Sequence, residues 1–300
     1  VQQLTDSTSL ASDGPALRAR LAEDGYLFFR GLLPREGVLQ VRAGVYAALD
    51  AAGWLAEGST LDAPLPTPLA VREGGEGYLA AYLGIQREQA FHELAHSADL
   101  VPLLSLMIGE QLLVHPRKIA RTSLPKDDEY TPPHQDFRLI QGSVDTFTVW
   151  VPLGDCPASL GSLRMLAGSH KQGLIEADSG KGPGGLKVDV GDDHPDWRTT
   201  DYQAGDVIVF TSLTVHGALP NTEDCLRFSA DFRYQPLRDP VLAESLQPHY
   251  FPDVPGWDVL TEGWTSTHAV LAPDDAVLAG MLSPLDPALR APASRLLAAG

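Results

Sequence analysis

The segment Thr131-Pro132-Pro133-His134-Gln135-Asp136, read with Gly205-Asp-Val-Ile-Val-Phe-Thr-Ser-Leu-Thr-Val-His216, decides how this chain folds. Two prolines impose an extended backbone ahead of His134. Alternate residues of a strand share a face, so His134 and Asp136 are expected to aim an imidazole and a carboxylate at one point. The second stretch reads as a buried strand that ends in His216. Two histidines and one carboxylate fill one side of a coordination sphere and leave the other open. That donor set suits a mononuclear Fe(II) ion that must also receive a co-substrate and dioxygen.

Working outward from these residues, short β-rich runs at 111–124, 144–153, 186–190, 206–215 and 226–235 are separated by Gly/Pro turns. Such texture indicates a sandwich or barrel rather than alternating βαβ units. The first third reads differently. Helices are expected over 13–24 and 35–52, with a strand at 26–30 between them, where Gly25 stops the first helix. Residues 57–77 are a Pro/Gly-rich loop, and further helices are expected near 86–99 and 100–108, divided by Pro102. The fold class is therefore mainly β with N-terminal helices, α+β, in a single domain. Within it, 1–110 is mainly helical, 111–236 forms the β core and 237–300 is a C-terminal extension. The extension carries Trp257 and Trp264 among prolines and reads as a lid, a core cover or a subunit contact.

Charge and composition exclude several classes of partner. The chain carries 22 basic and 39 acidic side chains, a formal charge of −17, which would repel a phosphate backbone and disfavours nucleic acid. No apolar run approaches the ~20 residues of a membrane span, and Val1-Gln-Gln-Leu-Thr-Asp shows no secretory pattern. Cys156 and Cys225 form neither a metal spacing nor a disulfide framework. The expectation is a cytoplasmic monomer or homodimer acting on a small molecule.

Beyond His216, the run Arg227-Phe-Ser-Ala-Asp-Phe-Arg-Tyr234 alternates strictly. Arg227, Ser229, Asp231 and Arg233 share one face, and Phe228, Ala230, Phe232 and Tyr234 the other. Burying an unpaired guanidinium is costly, so these arginines need partners. Asp231 is expected to pair with Arg233, leaving Arg227 beside Ser229 to clamp an anion.

The ordered set His134-x-Asp136, His216-x10-Arg227-x-Ser229, Trp150-Val-Pro-Leu-Gly-Asp155, Ala167-Gly-Ser-His170, Gly205-Asp-Val and His216-Gly-Ala-Leu-Pro-Asn221 resembles the phytanoyl-CoA dioxygenase family. The likeness runs from about residue 13 to 236. It implies a double-stranded β-helix, or jelly roll, wrapped by N-terminal helices. It also implies Fe(II) on His134, Asp136 and His216, which makes these three the catalytic residues. The co-substrate 2-oxoglutarate would be held by Arg227 and Ser229, with Trp150 as an aromatic wall, and O2 would be consumed. The implied reaction hydroxylates or otherwise oxidises an unactivated C–H and releases succinate and carbon dioxide. Where relatives halogenate, a small residue replaces the carboxylate, so Asp136 favours hydroxylation. Arg121, Arg233 and Phe137 are candidates for substrate contact, and Arg121 also for a second 2-oxoglutarate contact. Arg138 with Arg121 and Arg233 would form any local basic mouth. A non-catalytic jelly roll that only binds ligands is the alternative.

Two other motifs compete. His92-Glu93-Leu94-Ala95-His96 fits the H-E-x-x-H signature of a zinc peptidase. On a helical wheel, however, His92 and His96 lie away from the side defined by Phe91, Leu94, Ala95 and Ala98, so a solvated polar face is expected. Gly180-Lys-Gly-Pro-Gly-Gly185 matches G-x-G-x-x-G, but the strand-like Leu186-Lys-Val-Asp-Val190 follows where a dinucleotide site needs a helix. It reads as a flexible loop able to flank the site's mouth. His115 and His170 are expected to be structural, and His194 solvated.

Overall fold

The computed structural model describes residues 2–286 and 288–297. Helix Gly14–Asp24 starts where the Asp13 carboxylate accepts the Ala16 N–H at 3.0 Å and stops at Gly25, whose φ of 80° is open to glycine. It leads directly into strand Tyr26–Phe29. Helix Arg35–Ala51 buries Val38, Val41, Val45 and Leu49 at helical spacing.

The next helices differ from expectation. The chain is helical over Tyr78–Gln86, Gln89–Glu93 and Leu100–Ile108, with a 3-10 turn at Leu94–His96. Tyr78–Gln86 buries one face, Tyr78, Ala81, Tyr82, Ile85 and Gln86, but Leu79, Ala80 and Leu83 make the opposite side apolar as well, so periodicity gave no signal there. Pro102 lies in the first turn of Leu100–Ile108, where its missing N–H is tolerated, and divides nothing.

The core is two facing sheets. The larger runs Tyr26–Phe29, Val207–Thr211, Phe147–Pro152, Arg227–Pro236, Leu112–Val114, all antiparallel, and Ile119–Ser123 also pairs with Arg227–Pro236. The smaller runs Gln2–Gln3, Trp197–Thr199, Leu163–Leu166, His216–Ala218. Alternation sorts each central strand into two environments. Val149, Val151, Phe228, Ala230 and Phe232 turn outward into the main core beneath the helices. Tyr26, Phe28, Trp150, Met165, Tyr202 and Ile208 turn inward and close one end of the jelly roll. Each large side chain so buried contributes about 1.5–3 kcal/mol. The site lies against this cluster, with Trp150, Leu163 and Phe210 in the wall of its cavity.

The stretch expected as one strand over 206–215 is broken. Val207–Thr211 belongs to the larger sheet, and the chain then turns and crosses, so that His216 opens a strand of the smaller one. The run at 186–190 contributes only Leu186–Lys187, which pairs with Asp178–Ser179. The intervening glycines make a hairpin loop, with Gly180 N–H donating to Gly185 O, and no Rossmann turn.

The C-terminal extension packs back on the helices. Trp257 donates to Leu246 O, Trp264 donates to Arg87 O, and both indoles lie against His92. Buried Lys118 donates to Ala269 O and His115 O, which fastens the extension to the β core. These residues pack on the core. Among the described residues, no helix is long and apolar enough to cross a membrane.

Candidate active site

His134 and His216 face each other as an isolated antiparallel bridge, with reciprocal backbone hydrogen bonds of 2.9 and 3.0 Å. Gly217 permits that approach: a Cβ there would lie 3.1 Å from Pro133 N and 3.2 Å from Thr131 O. Asp136 is not on a strand. Its φ and ψ of −61° and −32° place it at the start of the short helix Phe137–Ile140. A tight turn therefore brings His134 and Asp136 together, and strand alternation does not.

Each imidazole is oriented by a backbone carbonyl. His134 Nδ1 lies 2.9 Å from Pro132 O, and His216 Nδ1 lies 3.0 Å from Thr214 O. A carbonyl only accepts, so each Nδ1 carries the proton and each Nε2 keeps its lone pair. Both Nε2 atoms face Asp136 Oδ1, at 3.6 and 3.8 Å. The other oxygen, Oδ2, accepts from Thr148 Oγ1 at 2.5 Å and from Arg233 Nη2 at 3.3 Å. Oδ1 and the two Nε2 atoms are left as three converging donors, and the three ligand atoms lie within 4.8 Å of one another. All three residues are buried. Burial, then His134, presses the His216 imidazole down to about 3, which keeps it neutral. Burial opposes ionisation of Asp136, but the Arg233 guanidinium holds its carboxyl well below the usual range. Two imidazole lone pairs aimed at one carboxylate oxygen fit a cation and are poorly satisfied without one.

The cavity beside this cluster is lined by Thr148, Trp150, Phe210, Arg121, Arg227 and Asp231. Arg227 is buried and donates to Ser229 Oγ at 2.6 Å, its guanidinium 5.9 Å from the Trp150 ring centre. Its Nε is buried with no partner. Arg121 bonds instead to Asp231 at 3.2 Å and to Glu73. The expected Asp231–Arg233 pair is therefore absent. Alternation points both side chains the same way, and Asp231 meets the arginine of the neighbouring strand while Arg233 lies behind Asp136. Arg233 and Phe137 are buried and do not line the cavity, contrary to their assignment as substrate contacts. Arg138 donates to Ile175 O. Towards solvent the cavity opens between Arg72, Glu73 and Tyr78 on one side and Asp127, Glu129, Tyr130 and Pro183 on the other. The glycine-rich loop does flank this mouth.

A phytanoyl-CoA dioxygenase (PhyH) sequence profile matches residues 21–229, which takes in His134, Asp136, Thr148, Trp150, His216, Arg227 and Ser229 but stops short of Asp231 and Arg233. The chain belongs to the phytanoyl-CoA dioxygenase family. It is 29% identical over 248 residues to the 1-deoxypentalenic acid 11-beta-hydroxylase of Streptomyces arenae, covering 77% of this chain and 84% of that one. Among solved structures, the epimerase SnoN in complex with Fe3+, alpha ketoglutarate and nogalamycin RO is similar in fold, with a TM-score of 0.53 at 22% identity. That match covers 76% of this chain and 85% of SnoN. EvdO2 from Micromonospora carbonacea var. aurantiaca, complexed with 2-oxoglutarate, gives 0.52 at 18% identity over 81% of this chain and 95% of its own. This member of the phytanoyl-CoA dioxygenase family is an Fe(II)/2-oxoglutarate-dependent oxygenase with a jelly-roll core.

The competing motif fails structurally. His92 and His96 fall on different short helical turns, and His92 is wholly buried with Nε2 3.0 Å from Gln86 O. The solvated face expected for His92 is covered by Trp257 and Trp264, which local periodicity could not reveal. Among the described residues, His134, Asp136 and His216 form the metal-type cluster, and His92 and His96 take no part in one. His115 and His170 are structural as expected, bonded to Gln235 Oε1 and Ala22 O, and His194 is exposed. Thr148 was missed, although it shares the inward face of its strand with Trp150. Glu73 was also missed, and nothing local marks it.

Proposed function

We propose that His134, Asp136 and His216 hold the iron, that Arg227 with Ser229 binds the distal carboxylate of 2-oxoglutarate, and that the substrate is a small free acid hydroxylated at a C–H. The observation that carries the reading is the Arg227 guanidinium, buried without a carboxylate in the same cavity as three converging donors. A buried guanidinium without an anion is strongly unfavourable, and a dicarboxylate supplies what it lacks. Trp150 forms the wall beside it and keeps water from the pair. Bound iron(II) would supply open coordination positions where 2-oxoglutarate and dioxygen react.

The chain's own part is positional. Pro132 O and Thr214 O fix the imidazole tautomers, while Thr148 and Arg233 hold Asp136 by one oxygen. At the mouth Glu73, Asp127 and Glu129 are matched by Arg72, Arg121 and Arg227, so no surplus of positive charge is offered to the several phosphates of a coenzyme A thioester. The relative from Streptomyces arenae is named for an acid as substrate. A cytoplasmic setting, with a monomer or homodimer, completes the proposal and is supported by two free cysteines. Succinate release is the test, measured with small carboxylic acids and with their coenzyme A thioesters. Turnover with free acids that gives a hydroxylated product supports the reading. Turnover with thioesters alone overturns it.

A further inference from the structure

Arg121 stands where the inner cavity meets its mouth and lines both. Asp231, on the central strand Arg227–Pro236, holds it from below. Glu73 holds it from above, and Glu73 belongs to the loop Arg72-Glu73-Gly74-Gly75-Glu76-Gly77. Gly74, Gly75 and Gly77 carry no side chains to restrict this loop's backbone, and Gly74 and Gly77 sit at φ of 84° and 86°.

The charges around the triad balance. The guanidiniums of Arg121, Arg227 and Arg233 face the carboxylates of Asp136, Asp231 and Glu73. A divalent cation and doubly charged 2-oxoglutarate cancel each other and keep that balance. An acid substrate adds one negative charge, which a buried cavity tolerates only if another leaves. Asp136 is fixed by Thr148 and Arg233, and Asp231 by its strand. Glu73 alone among the three is carried by a loop at the mouth.

We infer that Glu73 is a resident stand-in for the substrate's carboxylate, which displaces it from Arg121 and takes its place against that guanidinium. This rests on the reading that the site oxidises a small acid. Arg121 then determines specificity, and the loop at 72–77 moves aside as substrate enters. Arg72, bonded to Glu129 at 2.8 Å, is the neighbouring latch that the movement must release.

The test uses full-length protein loaded anaerobically with Fe(II) and 2-oxoglutarate, with cyclohexanecarboxylate and its methyl ester as probes. In Glu73→Gln the acid should bind about tenfold more tightly than in wild type, as expected when a competing charge is removed, while the ester is unaffected. Arg121→Gln should lose the preference for acid over ester, and Arg121→Lys, which keeps the charge if the first variant folds poorly, should retain part of it. Hydrogen exchange at 72–77 should rise on adding acid but not ester. An acid preference that survives in Arg121→Gln overturns the inference, as does failure of the acid to bind Glu73→Gln. An effect of Arg121→Gln on 2-oxoglutarate affinity alone would make Arg121 a co-substrate contact instead. Equal binding of acid and ester to both wild type and Glu73→Gln would refute the acid-substrate reading itself.

Discussion

Replacing Arg233 by methionine isolates the electrostatic support of the metal cluster. Arg233 Nη2 lies 3.3 Å from Asp136 Oδ2, and both side chains are nearly inaccessible. At an effective dielectric of ~20, unit charges at that separation attract by about 5 kcal/mol, an upper bound. Arg233 also leaves Nε and Nη1 buried without partners, so its own burial is expensive. Removing one member of such a pair typically costs ~3–5 kcal/mol because the other charge is stranded. Arg233→Met should therefore destabilise the metal-free protein by ~3–5 kcal/mol in urea unfolding at pH 7. Removing both charges in Arg233→Met/Asp136→Leu should recover most of that loss, with a coupling above ~2 kcal/mol. Anaerobic Fe(II) should also restore much of the stability of Arg233→Met, because the cation replaces the missing charge. A loss below ~1 kcal/mol, or a double variant no better than the sum of the singles, would refute the compensating role.

Three further outcomes are expected. Thr148→Val removes one of the two bonds to Asp136 Oδ2 and should weaken metal binding by ~10-fold or more, measured by competition with a chelator. His92→Ala should cost about 2–5 kcal/mol through the cavity left beneath Trp257 and Trp264, with metal content unchanged. Loss of metal with His92→Ala would revive the zinc reading. Burial holds the His115 imidazole down at about 3, against ~6.5 in the unfolded chain. The unfolded chain therefore takes up the proton first, and stability falls as pH drops from ~6.5 towards 3, by up to ~1.4 kcal/mol per unit. His115→Phe should flatten this acid limb in pH-dependent urea unfolding, and an unchanged limb would assign it to other groups.

Much of the site was legible because ligand residues are few and chemically specific. His134, Asp136, His216, Arg227, Ser229 and Trp150 all meet at one cavity or on the strand beside it. The local reasons were less legible than the residues. A turn, not strand alternation, pairs His134 with Asp136, and His216 begins a strand instead of ending one. Alternation correctly placed Arg227, Ser229, Asp231 and Arg233 on one face. It could not say that Asp231 would meet Arg121 across the sheet while Arg233 met Asp136, because partners come from register. His92 failed for the same kind of reason, since its cover arrives from the far end of the chain. Tyr78–Gln86 was lost because its less buried side, with Leu79, Ala80 and Leu83, is as apolar as its buried one, which leaves no amphipathic contrast.

The central claim, that these donors and Arg227 form one iron and 2-oxoglutarate site, is tested most directly by anaerobic titration of metal-free protein with Fe(II) and then 2-oxoglutarate. The weak visible charge-transfer band of the chelate is followed in wild type, His134→Ala and Arg227→Ala. A band that requires His134, and that needs far more 2-oxoglutarate without Arg227, is the predicted result. A band that persists in His134→Ala, or no band in wild type with stoichiometric zinc bound instead, would contradict the account.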